Sequence, residues 1–324
     1  MIYLDEPDLD YIPSTRGDKV REFERACADY LGVDDCVAVN SGTSALFLSL
    51  LACGIGPKDE VLVPACTFAG TANAVLYTGA NVKLIDVDGK TWCISQQYEK
   101  YLKRKTKAII PVSLYGCTFN LTDYYSAQLI FDLAEAFPLS APGSIRCYSF
   151  NGNKTITTGG GGLIVGQNLD KIRAMLIPGL YDGLGWNMGM PAVNAALGLE
   201  QLKKVDIYIE KKRRFNQIYR EELDGLVKFQ EPTPDSNPIW WMTACLVPDN
   251  ISVPELRNRL YAKGIPTRKV FEPLYYYSHI KDKTFCPNAE YVYRQGICLP
   301  SSVKNSDGDI RRVCKTLKNV IISQ

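Results

Sequence analysis

The chain has 324 residues, 46% hydrophobic and 22% charged, with 37 Lys and Arg against 35 Asp and Glu for a formal net charge of +2. That is ordinary globular composition, too long for one compact core, so a large domain with a smaller one is expected. The near-neutral balance speaks against a nucleic-acid partner, and short basic runs such as Lys103 to Lys107 and Lys211 to Arg214 read as solvated helix faces.

In chain order, Val20, Phe23, Ala26, Cys27 and Tyr30 recur at helical spacing and predict a helix over 18–31. Cys36 to Val39 is a short apolar strand, after which Asn40-Ser41-Gly42-Thr43-Ser44 opens a helix ending near Gly54. Glu60 to Val63 is a strand stopped by Pro64, Phe68 to Tyr77 a helix ended by Gly79, and Val82 to Asp86 a strand. Ala108 to Val112 and Leu129 to Asp132 are further strands. Strands alternating with helices at this pitch predict an α/β domain with a mainly parallel sheet. Ile145 to Phe150 and Leu163 to Val165 flank a glycine-rich turn, and one long helix is predicted from Pro191 to about Leu223. Pro232, Pro234 and Pro238 then break the pattern. The expected division is a large domain over 1–228 and a small C-terminal domain over 229–324. The latter would hold a strand near Trp241 to Val247 and helices near Val253 to Lys263 and Asp307 to Val320.

The eleven cysteines include no C-x-x-C pair, which argues against a disulfide framework and a zinc site; most lie in apolar runs and read as small buried residues. His279 is the single histidine, so no multi-histidine metal centre is expected. No apolar run approaches a membrane span, and the N-terminus lacks a basic region followed by an apolar core, so the expectation is a soluble cytoplasmic protein.

Three segments could carry chemistry. Asn40 to Leu46 joins a strand end to a helix start, where free amides and small residues suit a phosphate ester; the same residues also read as a Ser/Thr helix cap. Asp132 ends an apolar strand, where α/β folds place ligands, and could pair with a protonated ring nitrogen; it also reads as a cap for a helix over Leu133 to Phe137. Ser149 to Gly162 sets Lys154 beside the four glycines Gly159 to Gly162. Glycines let backbone approach a bulky ligand, and an amine there can form a Schiff base. A glycine-rich hairpin with a solvent lysine fits the same letters.

In order and spacing, these segments resemble the nucleotide-sugar aminotransferases of the DegT/DnrJ/EryC/StrS type, within the fold-type I pyridoxal-phosphate enzymes. The likeness runs from about residue 13 to the C-terminus. It includes Phe23-Glu24, Tyr30-Leu31-Gly32, Asn40 to Leu46, Gly54-Ile55-Gly56-Pro57, Asp59-Glu60-Val61 and Val63-Pro64. Thr67-Phe68, Thr71 to Val75, Gly79-Ala80, Asp86-Val87-Asp88, Leu114-Tyr115-Gly116 and Asp132 with Ala134-Glu135-Ala136 follow. Ser149 to Gly162, Asn187, Met190-Pro191, Asn194 to Gly198 and Gln201-Leu202 complete it. The resemblance implies a seven-stranded, mainly parallel sheet between helices and a small α+β domain. It implies that Lys154 holds pyridoxal phosphate and moves the protons, and that Asp132 keeps the pyridine nitrogen protonated. Glu135, where glutamine is common, faces the phenolic oxygen, and Phe68 stacks on the ring. Gly42, Thr43, Ser44 and Ser149 hold the phosphate, and Asn187 reaches the neighbouring subunit's cofactor in a homodimer.

The implied reaction is a two-stage transamination. L-Glutamate gives its amino group to the cofactor, and a nucleotide-linked keto sugar then takes it. Phe150 to Lys154, Thr157 to Gly162, Met190-Pro191 and Asn194 to Gly198, together with Glu135, look most like the branch that aminates C4 of 4-keto-6-deoxysugars, including those made on the way to bacillosamine, legionaminic acid and perosamine. No arginine fork for a second donor carboxylate sits in these motifs. The alternatives are C3 amination, a sugar dehydratase (whose family members carry histidine where Lys154 stands) and a non-catalytic binding homologue. Four departures from the family pattern leave the cofactor residues intact and bear on the substrate pocket and the dimer contacts: Gly189 where arginine is usual, Ser113 where histidine is frequent, a short 137–147 connection, and a short segment before Pro13.

Overall fold

The computed structural model describes residues 17–119, 121, 127–141, 145–176, 184–234 and 236–323. The start of the family likeness near residue 13 and part of the 137–147 connection lie outside the described residues. Seven strands make the first sheet: β1 (Cys36–Val39), β2 (Glu60–Pro64), β3 (Asn81–Ile85), β4 (Thr106–Ile109), β5 (Gln128–Asp132), β6 (Ile145–Ser149) and β7 (Gly162–Gly166). Their spatial order is β1-β7-β6-β5-β4-β2-β3. β6, β5, β4, β2 and β3 run parallel, whereas β7 is antiparallel to both β6 and β1. Strands such as β1 and β2 are buried along their whole length, as expected of a sheet covered on both faces, which is why they read as apolar runs without alternation.

Helices α1 (Asp18–Leu31), α2 (Gly42–Ala52) and α3 (Ala69–Tyr77) fall where the sequence pattern put them, with Phe68 as the residue before α3. α2 is buried almost all round and has no polar face, so it is a core helix. Ser41 caps it, its side chain accepting from the Ser44 amide at 3.0 Å. A short helix, α4 (Leu169–Met175), follows β7.

The single helix predicted from Pro191 is in fact two, α5 (Ala192–Leu202) and α6 (Val205–Glu222), separated at Lys203-Lys204. No glycine or proline marks the break, and helical periodicity continues on both sides. α5 buries Ala192, Ala195 and Gly198 in the first core; α6 begins against the same core at Val205 and Ile209, and only its later residues Phe215, Ile218 and Tyr219, with Leu223 just beyond, join a second hydrophobic cluster.

That second cluster is completed by α7 (Val253–Ala262) and α9 (Asp307–Ile322), through Leu256, Leu260, Ile310, Cys314 and Leu317. Ser306 and Asp309 form a reciprocal capping box at the start of α9. The chain also forms α8 (Pro287–Gln295) and a small antiparallel sheet of β8 (Lys228–Phe229), β9 (Ala244–Leu246), β10 (Arg268–Lys269) and β11 (Gly296–Cys298), in the order β10-β11-β9-β8. The expected strand near 241–247 is thus the three-residue β9. Strands of two or three residues carry no readable alternation, so β8, β10 and β11 are visible only through their pairing.

Ten of the eleven cysteines are buried, as small core residues would be. Among the described residues no group of side chains is arranged to hold a metal, and no helix is long and apolar enough to cross a membrane.

α1 and α5 meet where Gly198 lies against Phe23, which is fully buried. A Cβ at Gly198 would stand 2.5 Å from the Phe23 ring. Gly198→Ala is expected to cost about 1–3 kcal/mol by overpacking, read from the urea midpoint. Phe23→Leu in the same chain should recover part of that loss; an unchanged midpoint in Gly198→Ala would contradict this packing.

Candidate active site

A cavity of 310 Å³ opens at the carboxyl ends of the parallel strands, the edge where α/β sheets receive ligands. β5 contributes Asp132 and the turn after it Glu135; β6 contributes Ser149, and the loop beyond it Asn151, Asn153, Lys154, Gly160 and Gly161. The start of α2 adds Ser41, Gly42 and Thr43, and the approach to α3 adds Thr67 and Phe68. Trp241, Arg268 and Phe271 come from the C-terminal part of the chain.

Asp132 is buried and held at both oxygens. Thr71 Oγ1 donates to Oδ2 at 2.8 Å, and the Ala134 amide donates to Oδ1 at 3.0 Å. Thr71 is braced by Thr67, with 3.1 Å between the hydroxyls. No helix forms over 133–137; Asp132 closes a tight turn instead of capping one. Burial raises the Asp132 pKa, and the two hydrogen bonds and the Lys154 charge oppose it.

Glu135 is fixed by an unusual piece of backbone. Tyr115 adopts φ +57° and its amide donates to Glu135 Oε2 at 2.8 Å. Gly116 follows at φ +81°, where a Cβ would stand 2.8 Å from the Trp241 amide nitrogen. The Leu114-Tyr115-Gly116 motif therefore aims a backbone N–H at a carboxylate, and only glycine fits beside it. The other Glu135 oxygen, Oε1, accepts from Lys154 Nζ at 3.3 Å. Burial pushes the Glu135 pKa up, and the Lys154 ammonium and the Tyr115 amide pull it back.

Lys154 is no solvent lysine. Its side chain is 14% exposed, and its Nζ lies between Glu135 and the indole of Trp241, whose centroid is 4.2 Å away. The Trp241 Nε1–H donates to the Asn153 carbonyl at 2.7 Å and so ties the indole to the lysine loop.

At the opposite end of the cavity, Gly42 begins α2 against Ser149; a Cβ on Gly42 would be 2.9 Å from the Ser149 Cβ. Backbone amides and the Thr43 and Ser149 hydroxyls converge there, as an anion site requires. Ser44 stands behind this surface rather than on it, its hydroxyl donating to Asn40 Oδ1 at 2.6 Å. Phe68 is 60% exposed at the mouth, its ring centroid 6.0 Å from that of Phe271. Asn187 is exposed and does not line this chain's cavity; it precedes Met188, whose carbonyl accepts from the Asn40 amide, and Gly189, which bridges to Val39 on the outer side of β1.

Sequence reading did not find Trp241, Arg268 or Phe271. Two adjacent tryptophans just after the proline cluster were the only available signal for the first. Nothing distinguishes Arg268 from the other basic residues until β10 pairs with β11 and sets it at the cavity wall. The cavity therefore does contain a guanidinium, although none sits in the motifs.

An α/β sheet that gathers a buried carboxylate, an amine held against a second carboxylate, and an anion cradle at the start of α2 has the parts of an aminotransferase site. The chain matches the DegT/DnrJ/EryC1/StrS aminotransferase family over residues 11–318, and it belongs to that family. It is 35% identical over 331 residues to the GDP-perosamine synthase of Escherichia coli O157:H7, covering 94% of this chain and 90% of that one. It is 28% identical over 362 residues to the UDP-4-amino-4,6-dideoxy-N-acetyl-beta-L-altrosamine transaminase of Campylobacter jejuni subsp. jejuni serotype O:2, covering 98% and 96%. The crystal structure of DesV from S. venezuelae matches with a TM-score of 0.90 at 26% identity, over 96% of this chain and 91% of that one. Pyridoxal phosphate is the cofactor of this family, and the residues present fit it. Gly42 and Ser149 leave room for a phosphate, the buried Asp132 offers a carboxylate to a ring nitrogen, and Lys154 offers an amine.

The Asp132 shift has a sign that can be measured. Its folded pKa is raised, so the folded chain binds a proton at higher pH than the unfolded chain. Stability of the cofactor-free protein is then lost as pH rises from the ordinary carboxylate range through the raised value. Asp132→Asn removes that loss and is expected to stabilise the cofactor-free protein near pH 8, with a smaller gain at pH 5. A parent more stable than the variant at pH 8 would refute the account.

Proposed function

We propose that this enzyme moves an amino group from L-glutamate to C4 of a nucleotide-linked 4-keto-6-deoxysugar, with Lys154 as the residue that holds the cofactor and moves the proton. The observation that carries the reading is the cavity in which Lys154 Nζ lies 3.3 Å from Glu135 beside the doubly bonded Asp132. When bound, pyridoxal phosphate supplies an electron sink for the carbon that loses its proton.

The chain's own residues do the rest in this reading. Asp132 keeps the ring nitrogen protonated, with Thr71 and the Ala134 amide fixing the carboxylate in place. Glu135 faces the phenolic oxygen, and Phe68 covers one ring face. Gly42, Thr43 and Ser149 take the phosphate, while Ser44 supports that cup through Ser41 and Asn40. Lys154 carries a proton between the donor's Cα and C4′ of the cofactor. Arg268 receives the donor's α-carboxylate, for which one guanidinium suffices.

Amination at C4 is supported by the near full-length likeness to a perosamine synthase and a 4-amino-sugar transaminase. A homodimer is the proposed unit. Asn187 is exposed next to β1, and Val193, Leu197 and Ile207 leave apolar surface uncovered on α5 and α6, as a subunit contact would. Residues 1–228 are proposed as the cofactor-binding domain and 229–324 as a small domain that closes over it, although Phe215 to Leu223 of the first segment pack in the second hydrophobic cluster and Trp241, Val270 and Cys298 of the second segment pack in the first. The proposed location is the cytoplasm, where its small-molecule substrates are.

Incubation with L-glutamate and nucleotide-linked 4-keto-6-deoxysugars is expected to give a product whose NMR spectrum places the new amine at C4; an amine at C3 would overturn the assignment. Lys154→Ala should fold normally, lose its visible absorbance, and lose turnover by about 10³-fold or more. Arg268→Ala should raise KM for L-glutamate by about 10- to 100-fold. Mixing inactive Lys154→Ala with inactive Asn187→Ala should restore activity through hybrid dimers with one intact site. Two variants that stay inactive after subunit exchange, each confirmed dimeric, would rule out a shared site.

A further inference from the structure

Helix α6 carries a lysine whose surroundings are not those of a surface cation. Lys212 is 6% exposed, and its Nζ donates to the carbonyls of Trp241 at 2.8 Å and Ser301 at 3.0 Å. Among the described residues no carboxylate lies within ion-pair distance of it, and burial pushes its pKa down to about 8. A buried ammonium with no counter-ion is costly, and here its bonds go to two backbone carbonyls from separate stretches of chain.

One of those stretches is strained. Trp240 has φ +51°, in the left-handed region that a bulky side chain rarely adopts. Such a conformation persists only where its surroundings over-determine it, and α6 does so from several positions. Arg213 donates to the Pro238 carbonyl at 2.9 Å, the Arg220 guanidinium lies 5.1 Å from the Trp240 ring centroid, and Lys212 holds the Trp241 carbonyl. The turn delivers the Trp241 indole onto Lys154, 4.2 Å from the amine, where Nε1 bonds to Asn153.

We propose that Lys212 is a positioning residue that acts through Trp241: its ammonium fixes the strained Trp240–Trp241 turn so that the indole covers the Lys154 amine and keeps it on the Glu135 side. The proposal rests on Lys154 being the reacting amine. Without the clamp, two carbonyls lose their donor, the turn relaxes, and the amine is uncovered. Glu135 alone, a single hydrogen bond at 3.3 Å, does not restrain a side chain with this many rotamers.

The test is acetylation of the cofactor-free protein with a limiting amount of acetic anhydride, followed by mass spectrometry, with exposed Lys103 as the internal standard. In Lys212→Met, labelling of Lys154 relative to Lys103 is expected to rise about five-fold, since access governs the reaction. Lys212→Arg, which keeps a charged donor, should stay within about two-fold of the parent. Trp241→Ala should rise as Lys212→Met does, and the double variant should rise no further, because both changes break one chain of contacts. In the holoenzyme, Lys212→Met should lower kcat about ten-fold while leaving KM for L-glutamate unchanged. Unchanged Lys154 labelling in folded Lys212→Met, or effects that multiply in the double variant, would overturn the proposal. Should Lys212→Met not fold, Lys212→Gln, too short to reach both carbonyls, carries the same expectation and the same overturning result. Because the labelling needs no cofactor and no turnover, it is read independently of whether Lys154→Ala abolishes transamination.

Discussion

Two carboxylates and one amine share a buried cavity, and most of the architecture follows from keeping them there. The Lys154–Glu135 contact neutralises one carboxylate at 3.3 Å; the second, Asp132, has no ion pair among the described residues and relies on a hydroxyl and an amide. Burying such groups is tolerable only when every oxygen has a partner. β5 ends at Asp132 so that the Ala134 amide can turn back onto it, and α3 places Thr71 on the other oxygen. The left-handed Tyr115 exists to point its amide at Glu135, and that in turn demands Gly116. Local strain and local charge are therefore two sides of one arrangement.

Close backbone contact is the second requirement. β7, the strand that runs against its neighbours, enters the sheet between β1 and β6 at a point where a Cβ on Gly162 would stand 2.5 Å from the Ser41 carbonyl oxygen. The glycines after Lys154 thus serve packing as well as ligand access: they let the lysine loop fold back under the start of α2, which brings the anion cradle and the amine to opposite ends of one cavity. Asn194 on α5 holds the same loop by donating to the carbonyls of Thr158 at 2.7 Å and Gly160 at 2.8 Å.

α6 links the two hydrophobic clusters. One end of the helix starts beside the first core at Val205, and its later turns supply Phe215, Ile218 and Tyr219 to the second. Between them, its polar side chains reach across to backbone carbonyls of the segments that carry Trp241 and Ser301. The part of the cavity wall that Trp241 adds is consequently bonded to side chains of a helix that does not line the cavity itself.

Much of this was legible in the letters. Fully buried strands read as uniform apolar runs, α1 to α3 showed their spacing and stop signals, and the family's ordered motifs pointed to Asp132, Glu135, Phe68, Gly42, Thr43, Ser149 and Lys154, which the fold brings into one cavity. Those signals are local, set by propensity and by short stretches whose spacing the chemistry constrains. What stayed hidden depends on contacts between distant parts of the chain. The α5–α6 break carries no breaker residue, and both sides of it pack on the first core before α6 crosses to the second. β10 and β11 are too short to pattern, so Arg268 acquires a place only through pairing. Trp241 stands at the cavity because α6 holds a strained turn from the far side. The sequence by itself determined the sheet, the family's cofactor and most of the residues that line the cavity. The tertiary structure decided which residues from the C-terminal half close the cavity, because hydrogen bonds to backbone carbonyls and strained turns are made across the fold and leave no spacing in the sequence.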